Sequence, residues 1–175
     1  MLVQERFKDY SKQHCWQYEI RLQNIEEDLK EIGLSKADVQ QLRTSDFDFT
    51  YVDKTDKETC TEIKQFIKRH EWLGKLPIWI THRFVVRHTK TQAMAGVIIM
   101  ATPNTFSNLL GEENKGLEKL ISRGACISWA PKNLGSWMIT KSIDWMVKNT
   151  DFRYSTAYSD PEAKELGTIY QACNF

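Results

Sequence analysis

The chain has 175 residues, of which 41% are hydrophobic, and a formal net charge of +1. This length suits one domain, or one domain with an appendage, and it is enough to bury a core. No apolar run approaches the roughly 18 residues that a membrane span needs, and the first residues carry no cleavable signal. We therefore expect a cytoplasmic protein with no membrane partner. The four cysteines lack the spacing of a metal site or a disulfide framework, which predicts free thiols and no bound metal.

The charge is unevenly distributed along the chain. Residues 1–62 carry nine Lys or Arg and fourteen Asp or Glu, whereas residues 63–175 carry fifteen and nine. Either the second part meets an anion, such as a cofactor phosphate or a nucleic acid, or opposite patches face each other within the fold. The first reading predicts salt-dependent binding to DNA, with Lys132, Arg123, Arg83 and Arg87 as contributors.

Residues 1–44 are predicted to form a helical appendage to a domain of residues 45–175. Apolar residues at helical spacing indicate one or two amphipathic helices over residues 4–31, ended by Gly33. Ser35 and Asp38 then form a capping-box-like restart for a short helix. Helix, turn, helix is also the outline of a DNA-binding motif, but this segment is acidic, so a helical hairpin that packs on the following domain is favoured.

The middle of the chain predicts three strands and a helix. Residues 46–53 alternate polar and apolar, as a half-buried strand does, and residues 59–70 have helical spacing. Residues 78–88 and 92–102 read as two strands of a hairpin, in which the apolar run 96–100 is typical of a central strand. Residues 103–119 form a long insertion, and such loops often carry function. We expect Asn104 and Ser107 there to contact substrate.

The last third reads strand, turn, helix, strand, helix. The strands are predicted over residues 120–128 and 152–158, and a helix follows at Trp137 from the turn at residues 131–136. Ser159-Asp160-Pro161 has the pattern of a helix start, because a polar cap precedes Pro at the first helical position. The turn holds Lys132 and Gly135 ahead of a helix, which either forms a pyrophosphate site or is only a turn.

This order of elements, with Ile169-Tyr170 and Asn174-Phe175 near its end, resembles the GNAT superfamily of coenzyme A-dependent N-acyltransferases. Their last core helix ends in a Leu-Tyr-x-x-x-Gly-Phe-like motif. Within that superfamily, Tyr-Ser-Asp-Pro at residues 158–161 and Gly-Thr-Ile-Tyr-Gln-Ala at 167–172 are most similar to the phage-type Mom proteins, which modify the exocyclic amine of adenine in DNA. The resemblance spans roughly residues 70–175. It implies an α/β (α+β) fold with a mixed sheet, central parallel strands that splay apart, and helices on both faces.

The resemblance also implies a site. Tyr170 would be the general acid, Asp160 would orient or deprotonate the acceptor amine, and His70 would position the substrate; for each, a purely structural role is the alternative. Acetyl-CoA or a related acyl-CoA would bind at Ile127, Ser128, Lys132, Asn133, Gly135 and Ser136, and the substrate would contact Trp72, Asn104, Ser107 and Ser159. Two departures from the pattern stand out: Trp137 occupies a position that is small in the superfamily, and the second histidine of a Mom-like pair is absent beside His70.

The sequence thus predicts an enzyme that transfers an acyl-type group to an amine, with a DNA base as the expected acceptor. The alternatives are an acetyltransferase that acts on a protein or small-molecule amine, and a non-catalytic binding module on a degenerate acyltransferase fold. GNAT proteins normally continue with further strands beyond the position of Phe175. Either the chain is a truncated product or a partner supplies the strand, and in the second case we expect a homodimer through the C-terminal edge of the sheet.

Overall fold

The computed structural model describes residues 15–105 and 110–175. The predicted substrate residue Ser107 and the predicted helical turns over residues 4–14 lie outside this part of the chain. The helices are α1 (Trp16–Ile32), α2 (Lys36–Gln40), α3 (Lys57–His70), α4 (Leu134–Asn149) and α5 (Thr168–Gln171), with 3₁₀ turns at Thr44–Asp46 and Glu112–Leu117. The strands are β1 (Phe47–Val52), β2 (Ile80–His88), β3 (Met94–Ala101), β4 (Glu118–Cys126) and β5 (Tyr154–Ala157).

The five strands form one mixed sheet in the order β1-β2-β3-β4-β5. The first three pairings are antiparallel and β4 pairs with β5 in parallel, which confirms the mixed sheet predicted from the sequence. The parallel pairing runs from Glu118 opposite Tyr154 to Ile121 opposite Ala157. Beyond Ile121, β4 continues to Cys126 without pairing to β5, and we call this place the gap between β4 and β5.

Helices cover both faces of the sheet. On one face, Tyr51 stacks on Trp145 of α4 with ring centroids 4.3 Å apart. Phe47 contacts His88 on that same face, so Arg87, the neighbour of His88, points the other way and bonds to Glu62 of α3. The central strand β3 is buried along its whole length, as its apolar run predicts. Together these contacts confirm the α+β class.

The N-terminal helix α1 is held to the rest of the protein by buried polar contacts. The Asp28 carboxylate accepts a hydrogen bond from Arg69 at 2.7 Å and from the Ser128 hydroxyl at 2.6 Å. Arg21 donates to the carbonyl oxygen of Ser128 at 2.6 Å. Helix α1 therefore joins the end of α3 to the segment after β4. Gly33 ends α1 in the left-handed conformation and Ser35 caps α2 with Asp38, as predicted.

One predicted helix start was wrong. Residues 161–164 after Ser159-Asp160-Pro161 form a turn, and α5 begins only at Thr168. The Asp160 carboxylate accepts the N–H of Glu162 two residues on, at 2.8 Å, which closes an Asx turn instead of capping a helix. Lys164 and Gly167 then take positive φ values of 58° and 64°, a conformation that ends a helical run.

Two further expectations concern the outside of the fold. Across residues 15–105 and 110–175, no helix is long and apolar enough to cross a membrane. Strand β5 lies at the edge of the sheet, with β4 as its neighbour on one side. Its outer edge is where the expected homodimer would pair, and that association stays a prediction.

Candidate active site between β4 and β5

The C-terminal segment packs over the first turn of α4, next to the gap between β4 and β5. A Cβ atom on Gly135 would lie 2.6 Å from Cδ1 of Ile169, so Gly135 permits this close contact. The Cys173 thiol lies 3.5 Å from the carbonyl oxygen of Ser136. These contacts place α5, and with it Tyr170, at the gap. Burial raises the pKa of the Cys126 thiol, at the end of β4, to about 11, so this thiol stays protonated at neutral pH.

Two glutamates and a tryptophan join the loop after α3 to the segment before α5. The indole N–H of Trp72 donates to Oε1 of Glu165 at 3.0 Å, and Oε2 of Glu165 accepts the backbone N–H of Asp160 at 3.0 Å. The buried Glu71 carboxylate accepts the N–H of Gly74 at 2.8 Å. It also lies 3.9 Å from Nε of Arg123 on β4. Glu71 and Glu165 are near enough to Tyr170 to affect its ionisation, and Trp72 is bonded to Glu165.

This environment changes the acidity of two groups. Burial raises the pKa of Tyr170 to about 12, and the nearby carboxylates of Glu165 and Glu71 raise it further in the same direction. Burial also raises the pKa of Glu71, against the opposing effects of the Gly74 N–H and Arg123. The Tyr170 hydroxyl therefore keeps its proton at neutral pH, and the Glu71 carboxylate binds a proton more readily than usual. The Tyr170 hydroxyl can therefore serve as a proton donor and the Glu71 carboxylate as a proton acceptor, which suits acid–base chemistry.

His70 and Asp160 are placed differently from Tyr170. The ring of His70 is buried against Phe66, with centroids 4.5 Å apart, and its Nδ1 lies 3.8 Å from the Asp28 carboxylate of α1. Burial lowers the pKa of His70, so it is neutral at neutral pH. These contacts put the His70 ring against the N-terminal helix. Asp160 reaches the cluster through its backbone N–H, while its side chain closes the Asx turn.

The other expected substrate residues are spread along the gap and beyond it. The Ser159 hydroxyl lies 2.5 Å from the position of a Cβ atom on Gly167, and the same position is 3.9 Å from the Tyr170 ring. Ser159 is therefore brought into the neighbourhood of Tyr170, while Trp72 is bonded to Glu165, whose charge acts on Tyr170. Asn104 is exposed in the segment after β3.

The residues expected to hold the cofactor divide into two groups. Lys132, Asn133 and Ser136 line a surface groove of about 630 Å³, whereas Ile127, Ser128 and Gly135 are covered. The backbone N–H of Ile127 bonds to a strand carbonyl, and both polar oxygens of Ser128 are occupied by α1. Asn133 has a φ of 77°, which asparagine tolerates, and α4 begins directly after it.

The groove suits an anion. Arg43 lines it together with Lys132, and a neighbouring cavity of about 490 Å³ shares Lys132 and adds Arg21 and Lys36. The helix dipole of α4 adds positive potential at this end. Trp137 also lines the groove, and its ring meets Phe49 of the sheet edge-to-face, with ring centroids 6.3 Å apart. The groove therefore offers positive charge to an anionic group.

A model of the Mom protein family matches residues 50–175, which is most of the chain. The chain belongs to the Mom family. The match begins within β1 and covers Glu71, Arg123, Lys132 and Tyr170, and membership indicates a role in phage-type DNA modification. A search of curated proteins found no match.

Some residues that line the candidate site of this Mom-family protein were not predicted from its sequence. Glu165 enters the site only because residues 161–164 turn instead of forming a helix. Arg43 and Arg21 belong to the predicted appendage, yet they line the cavities beside Lys132. No local pattern signals such contacts, since they join segments about ninety residues or more apart. Over the described residues, no group of three potential ligands could hold a metal ion.

Proposed function

We propose that this Mom-family protein transfers an acyl-type group from an acyl-CoA to the exocyclic amine of a base in DNA. The observation that carries the proposal is the packing of α5 on the first turn of α4, which brings Tyr170 near enough to the buried Glu71 carboxylate for that carboxylate to raise the pKa of Tyr170. Family membership supports DNA as the target. The groove at the start of α4 supports a phosphate-bearing donor.

Each residue of the site has a role in this scheme. When bound, an acyl-CoA would supply the acyl group as a thioester, whose sulfur needs a proton as the C–S bond breaks. Lys132, Arg43 and the backbone at Asn133 would hold its phosphates. Tyr170 would give its hydroxyl proton to the sulfur, because its pKa of about 12 keeps that proton in place until charge develops nearby.

Glu71 would take the proton that the amine loses as the new C–N bond forms. An exocyclic base amine is uncharged but weakly nucleophilic, so it gains from a base that is stronger than an ordinary carboxylate. Burial raises the pKa of Glu71 in that direction. Arg123, 3.9 Å from the carboxylate, would hold it in place, and Trp72 and Glu165 would shape the wall beside it.

One observation favours a second function, that of a non-catalytic binding module. Ile169 covers Gly135, and Ser128 is fully engaged with α1, so less of the expected cofactor turn is open than in an ordinary acyl-CoA site. In that case the groove at Lys132 would hold a phosphate group without transferring anything.

Mass spectrometry of nucleosides from DNA of cells that express the protein tests the transfer. Tyr170→Phe removes one hydroxyl and keeps the ring, so the yield of modified base should fall by about 10²- to 10⁴-fold, the usual cost of losing a positioned acid. The matched control is Tyr154→Phe at the far end of β5, which should leave the yield unchanged.

Calorimetry with acetyl-CoA separates the two functions. The transferase is supported if Tyr170→Phe binds acetyl-CoA nearly as the wild type does but gives less modified base. A full yield of modified base in Tyr170→Phe would show that Tyr170 is not the general acid, and Asp160→Asn then tests whether Asp160 has that role. Binding without any modified base in DNA would favour the binding module, or an acceptor amine on a protein or small molecule.

A further inference from the structure

A loop next to the proposed site exposes large apolar side chains. Ile78 is 88% exposed and Trp79 is 66% exposed, and Leu73 in the same loop is also exposed. We call residues 73–79 the 73–79 loop. Neighbouring exposed apolar side chains form a patch, and such patches can serve as binding surfaces.

Trp79 stands apart from the other five tryptophans of the chain. Trp129 is buried in the core, and Trp137 and Trp145 pack on aromatic rings of the sheet. Trp16 and Trp72 meet each other edge-to-face at 5.3 Å. Trp79 alone presents most of its ring to solvent, so among the tryptophans it is the one free to stack on a partner.

The backbone of the 73–79 loop is fixed at several points. The carbonyl oxygen of Lys75 accepts a hydrogen bond from Arg123 at 2.8 Å, and that of Trp79 accepts the N–H of Thr102 at 3.1 Å. At its start, the N–H of Gly74 bonds to the Glu71 carboxylate. The exposed rings are therefore carried by an anchored loop, and the anchors include two residues of the proposed site.

The charge around the loop suits a polyanion. No Asp or Glu occurs between Glu71 and Glu112, and the loop has two cations close to it, Lys75 within it and Arg123, which donates to the Lys75 carbonyl oxygen. Lys75 is exposed within the loop itself. Four residues of extended chain reach at most about 14 Å, so Trp79 lies within about four base-pair steps of the Arg123 contact.

We infer that Trp79, with Ile78, is a wedge that enters a DNA duplex and fills the space left when the target base leaves the stack. This inference rests on the proposed function, because it names how a duplex base would reach Tyr170 and Glu71. Chemistry on a base inside a duplex requires the base to leave the stack, and apolar side chains inserted between base steps lower the cost of unstacking. A fixed, exposed aromatic ring beside a cation meets both needs.

Binding to two synthetic duplexes of one sequence, one of them with a single abasic site, tests the wedge. The abasic site offers a ready gap, so the wild-type protein should bind that duplex more tightly. Loss of an aromatic ring that stacks on a base typically weakens binding by about 5- to 150-fold. In Trp79→Ala we therefore expect the preference for the abasic duplex to fall by about 10-fold or more, and in Trp79→Phe most of it should remain. Leu22→Ala, which removes another exposed apolar side chain, is the matched control and should bind as the wild type does.

Three results would overturn the wedge. The first is an unchanged preference for the abasic duplex in Trp79→Ala, and the second is no such preference in the wild type. The third is a change of oligomeric state in Trp79→Ala with unaltered DNA binding, since the surface would then join two copies of the chain. If modified base still forms while the preference for the abasic duplex is missing, only the role of Trp79 as a wedge is refuted. If the protein binds neither duplex and forms no modified base, the proposed function is refuted as well.

Discussion

Replacement of Asp28 by alanine is the most direct test of how α1 is tied to the rest of the protein. The Asp28 carboxylate is buried and accepts hydrogen bonds from Nη2 and Nε of Arg69, at 2.7 and 3.2 Å, and from the Ser128 hydroxyl at 2.6 Å. Asp28→Ala leaves both partners without this acceptor. We expect a marked loss of stability.

The size of that loss follows from the exposure of each partner. The buried Ser128 hydroxyl loses its acceptor, which costs about 1–3 kcal/mol. The side chain of Arg69 is 34% exposed and keeps Glu27 at 3.1 Å, so it recovers part of its loss from water and from that neighbour. The ion pair of Arg69 with the buried Asp28 carboxylate still contributes about 1 kcal/mol once the exposure of Arg69 is taken into account. Together these give a fall of about 3 kcal/mol in the free energy of unfolding.

Urea denaturation followed by far-ultraviolet circular dichroism measures this quantity. With a slope of about 2 kcal/mol per molar urea, the midpoint of Asp28→Ala should fall by about 1.5 M. Glu27→Ala is the control, because Glu27 contacts the same arginine from a side chain that is 66% exposed, and such pairs contribute about 1 kcal/mol or less. Equal midpoints for the two variants would refute the argument. Asp28→Asn keeps an acceptor oxygen and should fall between them.

Two further predictions concern the groove and the buried histidine. Lys132→Ala should weaken acetyl-CoA binding by about 10-fold and reduce its salt dependence, because a cation near the phosphates is lost. Lys148→Ala, at the other end of α4, is the control, and calorimetry measures the affinity of both variants. Equal affinities for the two variants would show that the groove does not bind the phosphates. Burial lowers the pKa of His70 below its usual 6.5, so below that pH the unfolded chain binds a proton that the folded protein does not. The contribution of His70 to the free energy of unfolding should therefore be fully present above about pH 6.5 and be lost as the pH drops through the lower pKa of the folded state. In His70→Gln, the free energy of unfolding should change less steeply between about pH 7 and 5. An identical slope in both proteins would show that other groups set the pH dependence.

Much of the fold could be predicted because its signals are local. The alternation in residues 46–53, the apolar run 96–100 and the order of strands and helices after residue 120 reflect side-chain periodicity, which each segment carries by itself. These signals were sufficient for the mixed sheet and for the parallel pairing of β4 with β5. The Ser159-Asp160-Pro161 pattern failed because the same polar side chain closes either a helix cap or an Asx turn, and Lys164 and Gly167 settle the choice with positive φ values.

The sequence by itself determined most of the elements and their order, since those follow from spacing and motif. Only the tertiary structure decided which polar groups are free to act. The Ser128 hydroxyl is bonded to Asp28 and His70 lies against α1, while Glu71 and Glu165, from two separate segments, both act on the pKa of Tyr170. The physical reason is that burial and hydrogen bonding depend on neighbours far apart in the chain, and these neighbours set both the pKa of a group and its access to a substrate.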